Sequence, residues 1–292
     1  MTRWAMIADL RRCVGCQTCT AACKHSNATS PGVQWRSVLD VELGAFPDVS
    51  RVFVPVGCMH CDDPPCVPVC PSTATRKRED GLVTMDYDLC IGCASCALAC
   101  PYQARFKVDD PGFAYGGKTR MRNEAQRADP ARSGVAQKCT FCIERIDDGL
   151  AQGLVPGVDP AATPACVNSC IADALHFGDL DNPDSNVARM IRDNKTFGMH
   201  EELGTGPNIH YIWAAAAEAG QDSAANPTPP TYATTSSGIG AIGGVAPWRG
   251  GSTGVGMLAS MRRGVSHGRS ATYHVGGRQA GTVARSLAGR GA

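Results

Sequence analysis

The run Cys90-Ile-Gly-Cys93-Ala-Ser-Cys96-Ala-Leu-Ala-Cys100-Pro101 organises the whole chain. It sets three cysteines two residues apart, a fourth after three more, and a proline directly behind. Three further groups vary the same theme. They are Cys13-x2-Cys16-x2-Cys19-x3-Cys23, then Cys58-x2-Cys61-x4-Cys66-x3-Cys70 followed by Pro71, and a split group in which 23 residues separate Cys139-x2-Cys142 from Cys166-x3-Cys170. All 16 cysteines of the 292-residue chain fall in these groups.

This spacing suits iron. In the bacterial Cys-x2-Cys-x2-Cys-x3-Cys-Pro run, three cysteines wrap one iron–sulfur cubane. The fourth, a helical turn further on, ligates the other cluster of a pair. The second and third groups are adjacent, so they pair. One cluster (c) then takes Cys58, Cys61, Cys66 and Cys100, and another (d) takes Cys70, Cys90, Cys93 and Cys96. By elimination the outer groups form cluster a, on Cys13, Cys16, Cys19 and Cys170, and cluster b, on Cys23, Cys139, Cys142 and Cys166. Each cysteine is used once, for four 4Fe-4S clusters in all. Zinc is the rival metal, but its four-thiolate sites are usually built from two Cys-x2-Cys pairs, without repeated Cys-Pro endings.

Composition narrows the class. With 43% hydrophobic residues but 33 glycines and 19 prolines, the chain suits a loop-rich fold stapled by its cysteines. Disulfides would demand an oxidising compartment. The apolar run before Cys13 is too short for a secretory signal, and Arg11-Arg12 leads straight into Cys13 and not into an apolar stretch. The expectation is metallated cysteines in a reducing cytoplasm. Ile209–Ala217 is the longest apolar candidate for a membrane span and falls far short of the roughly 20 residues needed. Net charge is +1, yet residues 221–292 hold seven Arg, no Lys and one acid (+6), leaving 21 basic and 26 acidic residues elsewhere (−5). That Gly-, Ser-, Thr- and Arg-rich tail reads as disordered, or as an arm that orders on a partner.

Local patterning predicts strands at Trp4–Leu10, Arg51–Val56, Leu82–Asp86, Ala104–Val108 and Ala174–Gly178. Helices are expected at Ile143–Gln152, with Ile143, Ile146 and Leu150 on one face, and at Ser185–Phe197, with Val187, Met190 and Ile191 on one face. Residues 26–50 read as a connector and 109–137 as a surface excursion. The expected fold is α+β: two nested bacterial-ferredoxin-like modules, each binding two clusters. The outer module is 1–50 plus 135–220, the inner is 51–134, and 221–292 is a low-complexity basic tail. Gly15, Gly92 and Ala94 leave room for sulfide near backbone, and Pro71 and Pro101 fix the chain behind the swapped cysteines. Lys24, Lys77, Arg105 and Lys138 lie near the groups and could offset cluster charge. Solvated surface charge is the simpler reading of each. His25 and His60 read as hydrogen-bonded histidines, with a ligand or proton role as the alternative, and Trp4, Trp35 and Trp213 as packing residues. No Ser/His/Asp set, phosphate loop or paired carboxylates with catalytic context occur. No residue is therefore expected to act as catalytic acid, base or nucleophile, and neither a small-molecule substrate nor nucleic acid is expected.

The four groups in this order, the third intact and the fourth split, resemble the iron–sulfur (beta) subunits of complex iron–sulfur molybdoenzymes. Gly57-Cys-Met-His-Cys-Asp-Asp-Pro-Pro-Cys66, Asp80-Gly-Leu-Val83, Lys138-Cys-Thr-Phe-Cys142 and Glu201-Glu-Leu-Gly-Thr-Gly-Pro207 carry the likeness, over about residues 4–212. Related subunits that hold a three-iron centre replace one cysteine of the third group with Trp. Cys93 is present here, so four-iron clusters are implied throughout. Two features depart from the pattern. Ile171 follows Cys170 where proline is common, and the tail after 221 has no counterpart. The resemblance implies relay of electrons between a molybdopterin-containing catalytic subunit and a polytopic quinone-binding membrane subunit, with sulfite dehydrogenase as the nearest branch. The same role in a polysulfide, thiosulfate, tetrathionate or dimethyl sulfoxide reductase is the first alternative, and a free-standing polyferredoxin the second. It implies a peripheral position on the inner face of the cell membrane, with periplasmic placement by co-export as runner-up.

Overall fold

A computed structural model describes residues 2–109 and 129–215, with two isolated positions, 122 and 125, between them. The basic tail and most of the 109–137 excursion lie outside the described residues. Strands and short helices are interspersed along the chain, giving a mixed α+β fold. β1 (Trp4–Asp9), β8 (Leu175–Asp179), β9 (Asn194–Gly198) and β10 (Ile209–Ala215) form one sheet in the order β8-β1-β10-β9. β1 runs parallel to β10 and antiparallel to β8, so both ends of the described chain meet at the sheet centre.

β1 is buried along its whole length, as a central strand must be when both faces are covered. Its side chains alternate. Trp4, Met6 and Ala8 face the body that holds the cysteines, and Ile7 packs with Ile212 against Val187 of α5 (Asn186–Asp193). Helix α5 thus closes one face of the sheet and the cysteine groups close the other. Met190 and Ile191 pack on the same satellite core, in line with the expected face.

Three two-stranded ladders complete the architecture: β2 (Arg36–Ala45) with β3 (Asp48–Gly57), β4 (Thr75–Lys77) with β5 (Val83–Met85), and β6 (Phe106–Lys107) with β7 (Ala136–Gln137). The helices are α1 (Thr18–Asn27), α2 (Ser95–Ala99), α3 (Ile143–Ala151), α4 (Ala165–Asn168) and α5. The first, second and fourth carry cysteines inside them.

Several local expectations differ from what is observed. Residues 36–45 are not connector. They pair residue for residue with β3, and Asp40 is salt-bridged to Arg51 across the ladder. The predicted helix to Phe197 stops at Asp193, because Phe197 stacks on Tyr211 of the neighbouring strand, with ring centroids 5.4 Å apart. Leu150 points to solvent while Ile146 fills the core of the α3 face. Two ladders also cross the expected module boundaries, β2/β3 at residue 50 and β6/β7 at residue 134.

Candidate iron–sulfur sites

The four cysteine groups share one backbone device. The residue before the second cysteine is left-handed in each: Gly15 (φ +68°), His60 (+47°), Gly92 (+68°) and Phe141 (+56°). Glycine reaches this region freely, whereas other residues do so at a cost. At Gly92 a Cβ would lie 2.1 Å from the Gly134 carbonyl oxygen, so no side chain fits. Three residues beyond the last cysteine, Thr73, Gln103 and Asp173 repeat the left-handed state. Such reversals turn amide N–H groups towards sulfur. The amides of Phe141, Thr75 and Ala174 donate to Cys139, Cys70 and Cys170 Sγ at 3.4, 3.5 and 3.2 Å.

The thiols gather across long sequence separations. Cys13, Cys16, Cys19 and Cys170 line one cavity, together with Gln17 and apolar side chains such as Val38, Pro55 and Leu175. The Cys23 thiol is pushed up by burial and then by Cys139, Cys166 and Cys142 beside it. Burial, then Cys58, Cys100 and Cys66, push Cys61 up to about 12. Cys100 rises to about 11, chiefly through burial, with Cys58 and Cys66 adding to it. Cys93 senses Cys70, and Cys96 senses both Cys66 and Cys90. Charge influence also runs from set to set: Cys166 raises Cys19, Cys58 raises Cys139 and Cys66 raises Cys96.

Three buried cations stand among these sulfurs. Arg105, 6% exposed, donates through Nη2 to Cys66 Sγ at 3.0 Å and through Nη1 to Thr75 Oγ1 at 3.1 Å. Lys138 is fully buried and donates through Nζ to the carbonyls of Val83 and Cys139. For these two, solvated surface charge is the wrong description. The signal is their position, one residue before a cysteine or five after one. Lys77 instead reaches the Asp62 carbonyl at the surface, and Lys24 caps the carbonyls of Thr29 and Ser30. The third cation, Arg36, is 1% exposed and sits in the stretch read as connector, which is why sequence reasoning missed it.

His60 is a structural histidine. Its Nδ1 accepts from the Val83 amide at 3.1 Å, so Nε2 carries the hydrogen and donates to the Cys139 carbonyl at 3.0 Å. Burial first, and then the charge of Lys138, hold it neutral, far below the usual histidine range. Its ring stacks on Phe141, centroids 3.9 Å apart.

This donor set fits iron–sulfur clusters. Buried thiols pushed upward do not ionise alone, and metal supplies the missing positive charge as the protons leave. Among the described residues no three His, Cys, Asp or Glu side chains are placed to hold a single metal ion.

Known proteins agree with this chemistry. Residues 49–121 match the family described as a 4Fe-4S dicluster domain. Over 226 residues the chain is 39% identical to a selenate reductase subunit of Mesobacillus selenatarsenatis, covering 72% of each chain. It is 38% identical to the arsenate respiratory reductase iron–sulfur subunit of a Shewanella species, over 72% of this chain and 96% of that one. It is also 38% identical to a sulfite dehydrogenase subunit of Allochromatium vinosum, over 73% and 83%. The chain thus contains a 4Fe-4S dicluster domain of ferredoxin type. Within that class the chain belongs to the iron–sulfur subunits of molybdoenzyme complexes, and its role is electron transfer. No helix among the described residues is long and apolar enough to cross a membrane.

Proposed function

We propose that the chain holds four 4Fe-4S clusters as a single file, a–b–c–d, on the ligand sets assigned above. The electrostatic linkage between sets supports this reading: Cys166 bears on Cys19, Cys58 on Cys139 and Cys66 on Cys96, the order a–b–c–d. The file has two ends, and both reach the surface. At one, Cys16 is exposed beside Val14 (58% exposed) and Ile171 (73%); at the other, Cys93 is exposed beside Ile91 (69%) and Leu98 (68%). Electrons enter and leave there, one end meeting a molybdopterin catalytic subunit and the other a quinone-reactive membrane subunit. When bound, the clusters supply one-electron chemistry. The protein's own residues exclude water, orient the sulfurs through amide N–H groups and place charge near them.

The complex acts on sulfite or a kindred small oxyanion. Selenate reductase and sulfite dehydrogenase subunits match at 39% and 38% identity, so this chain is fitted to a kind of partner more than to one substrate. The proposed place is the inner face of the membrane, held there by the partners, with export alongside the catalytic subunit as the other arrangement.

Iron and sulfide analysis of the purified chain tests the count: about sixteen irons per chain are expected, four per cubane. About eight would leave one module empty and overturn the file. Co-purification with a large molybdenum subunit is expected. An iron-replete monomer that serves several enzymes would instead mark a free-standing polyferredoxin.

A further inference from the structure

Arg36 opens β2, directly opposite Gly57, the residue that leads into Cys58. A side chain on Gly57 would press on the Trp35 carbonyl at 2.9 Å and approach the guanidinium carbon of Arg36 at 3.7 Å, so the base of this hairpin fixes where the guanidinium lies. Arg36 Nη2 donates to Met6 Sδ and lies 3.9 Å from Cys166 Sγ. Nε and Nη1 are sealed from water and have no hydrogen-bond partner. The groups that bear on its charge are Cys166, Cys139, Cys19 and Tyr211, not carboxylates.

A buried guanidinium without a counter-ion is strongly unfavourable. Here the sulfur of Cys166, 3.9 Å away, stands where a counter-ion would be. Cys19 belongs to cluster a, and Cys166 and Cys139 to cluster b, so the cation occupies the gap between the two. A cubane on four thiolates is an anion, and reduction adds one more negative charge. A permanent cation at this distance therefore favours the reduced state of both.

We propose that Arg36 raises the reduction potentials of clusters a and b by holding a fixed positive charge between them, with Nε and Nη1 as donors to cluster or thiolate sulfur. The step it serves is outer-sphere. With clusters bound, the chemistry they would supply is one-electron exchange in which no bond forms or breaks, and the guanidinium keeps its protons. The inference rests on the four-cluster reading, and the iron count tests that reading separately.

The test is an EPR-monitored redox titration of the iron-loaded full chain. With Arg36→Met, two of the four midpoints should fall, each by at least a tenfold change in the one-electron equilibrium constant, about 59 mV. The other two should stay, and Arg36→Lys should keep most of the wild-type values. Unchanged midpoints in an iron-replete Arg36→Met protein would overturn the proposal. So would equal shifts in the Met and Lys variants, or movement of all four midpoints together. Met6→Glu is the second arm. It sets a carboxylate against the intact guanidinium and should lower the same two midpoints. If both Arg36→Met and Met6→Glu shed iron while Arg36→Lys keeps it, Arg36 is scaffold and the proposal falls.

Discussion

The second cysteine of each group meets one of two environments. Cys16 and Cys93 are exposed, and hydrogen bonds from Thr18 and Ser95 hold their thiols below the usual range. Cys61 and Cys142 are buried, and burial pushes both upward. The preceding residue follows the same division. It is glycine at the exposed pair, Gly15 and Gly92, and a ring at the buried pair, His60 and Phe141, although all four share the left-handed backbone. The two rings stack on each other in the middle of the molecule. One local motif is thus met in two settings, open to solvent at Cys16 and Cys93 and enclosed at Cys61 and Cys142.

Removing an interior ligand should break this contrast most severely. Cys100→Ala should cost the cluster held by Cys58, Cys61 and Cys66, not the one held by Cys90, Cys93 and Cys96. Iron should drop by up to about four per chain, and the cluster that survives, identified by EPR, decides. Loss of the Cys90/Cys93/Cys96 signal instead would show that the swapped pairing is wrong.

Next in size is the stacked pair itself. His60→Gly relieves the left-handed strain but leaves the Val83 amide unpaired, takes one of two donors from the Cys139 carbonyl and removes a stacked ring. The expected net loss is about 2–4 kcal/mol, read as a lower thermal midpoint for loss of visible absorption. An unchanged midpoint would mean that the rings do not hold the joint together.

Burial should also be felt in the large sheet. His210 on β10 is kept neutral by burial and then by Arg3, so its folded pKa lies below the unfolded value of 6.5. Stability from this group is complete above about pH 6.5 and drains as pH falls, by at most about 1.4 kcal/mol per pH unit. His210→Gln should flatten that acid limb of the thermal midpoint, and a parallel limb would remove His210 as its source.

The smallest effect belongs to the exposed end. Ser95 Oγ lies 3.4 Å from Cys93 Sγ and donates to it once the sulfur is a thiolate. Ser95→Ala should lower one midpoint by less than a tenfold change in the equilibrium constant, under about 59 mV. A larger shift there than at Arg36 would invert the contrast between exit and interior.

Much of this was legible in advance because cysteine spacing is local. The repeated groups, the left-handed need at Gly15 and Gly92, and strands β1, β5 and β8 follow from short-range patterns. β2 escaped notice because Asp40, Glu42 and Gly44 dilute its apolar residues, and its pairing is set by β3. Phe197 was drawn into a predicted helix because Tyr211, the ring that claims it, lies across the neighbouring strand.

The sequence by itself determined the iron–sulfur chemistry and the family, because cysteine ligands to a cubane recur at fixed short spacings. Tertiary structure alone decided which charges are buried and which cysteines face water. Arg36 became a cation among sulfurs only when the β2/β3 hairpin carried it beneath β1, and tertiary packing left Cys16 and Cys93 exposed while it enclosed Cys61 and Cys142. Burial and electrostatic environment depend on what packs from elsewhere in the chain, and no local pattern encodes that.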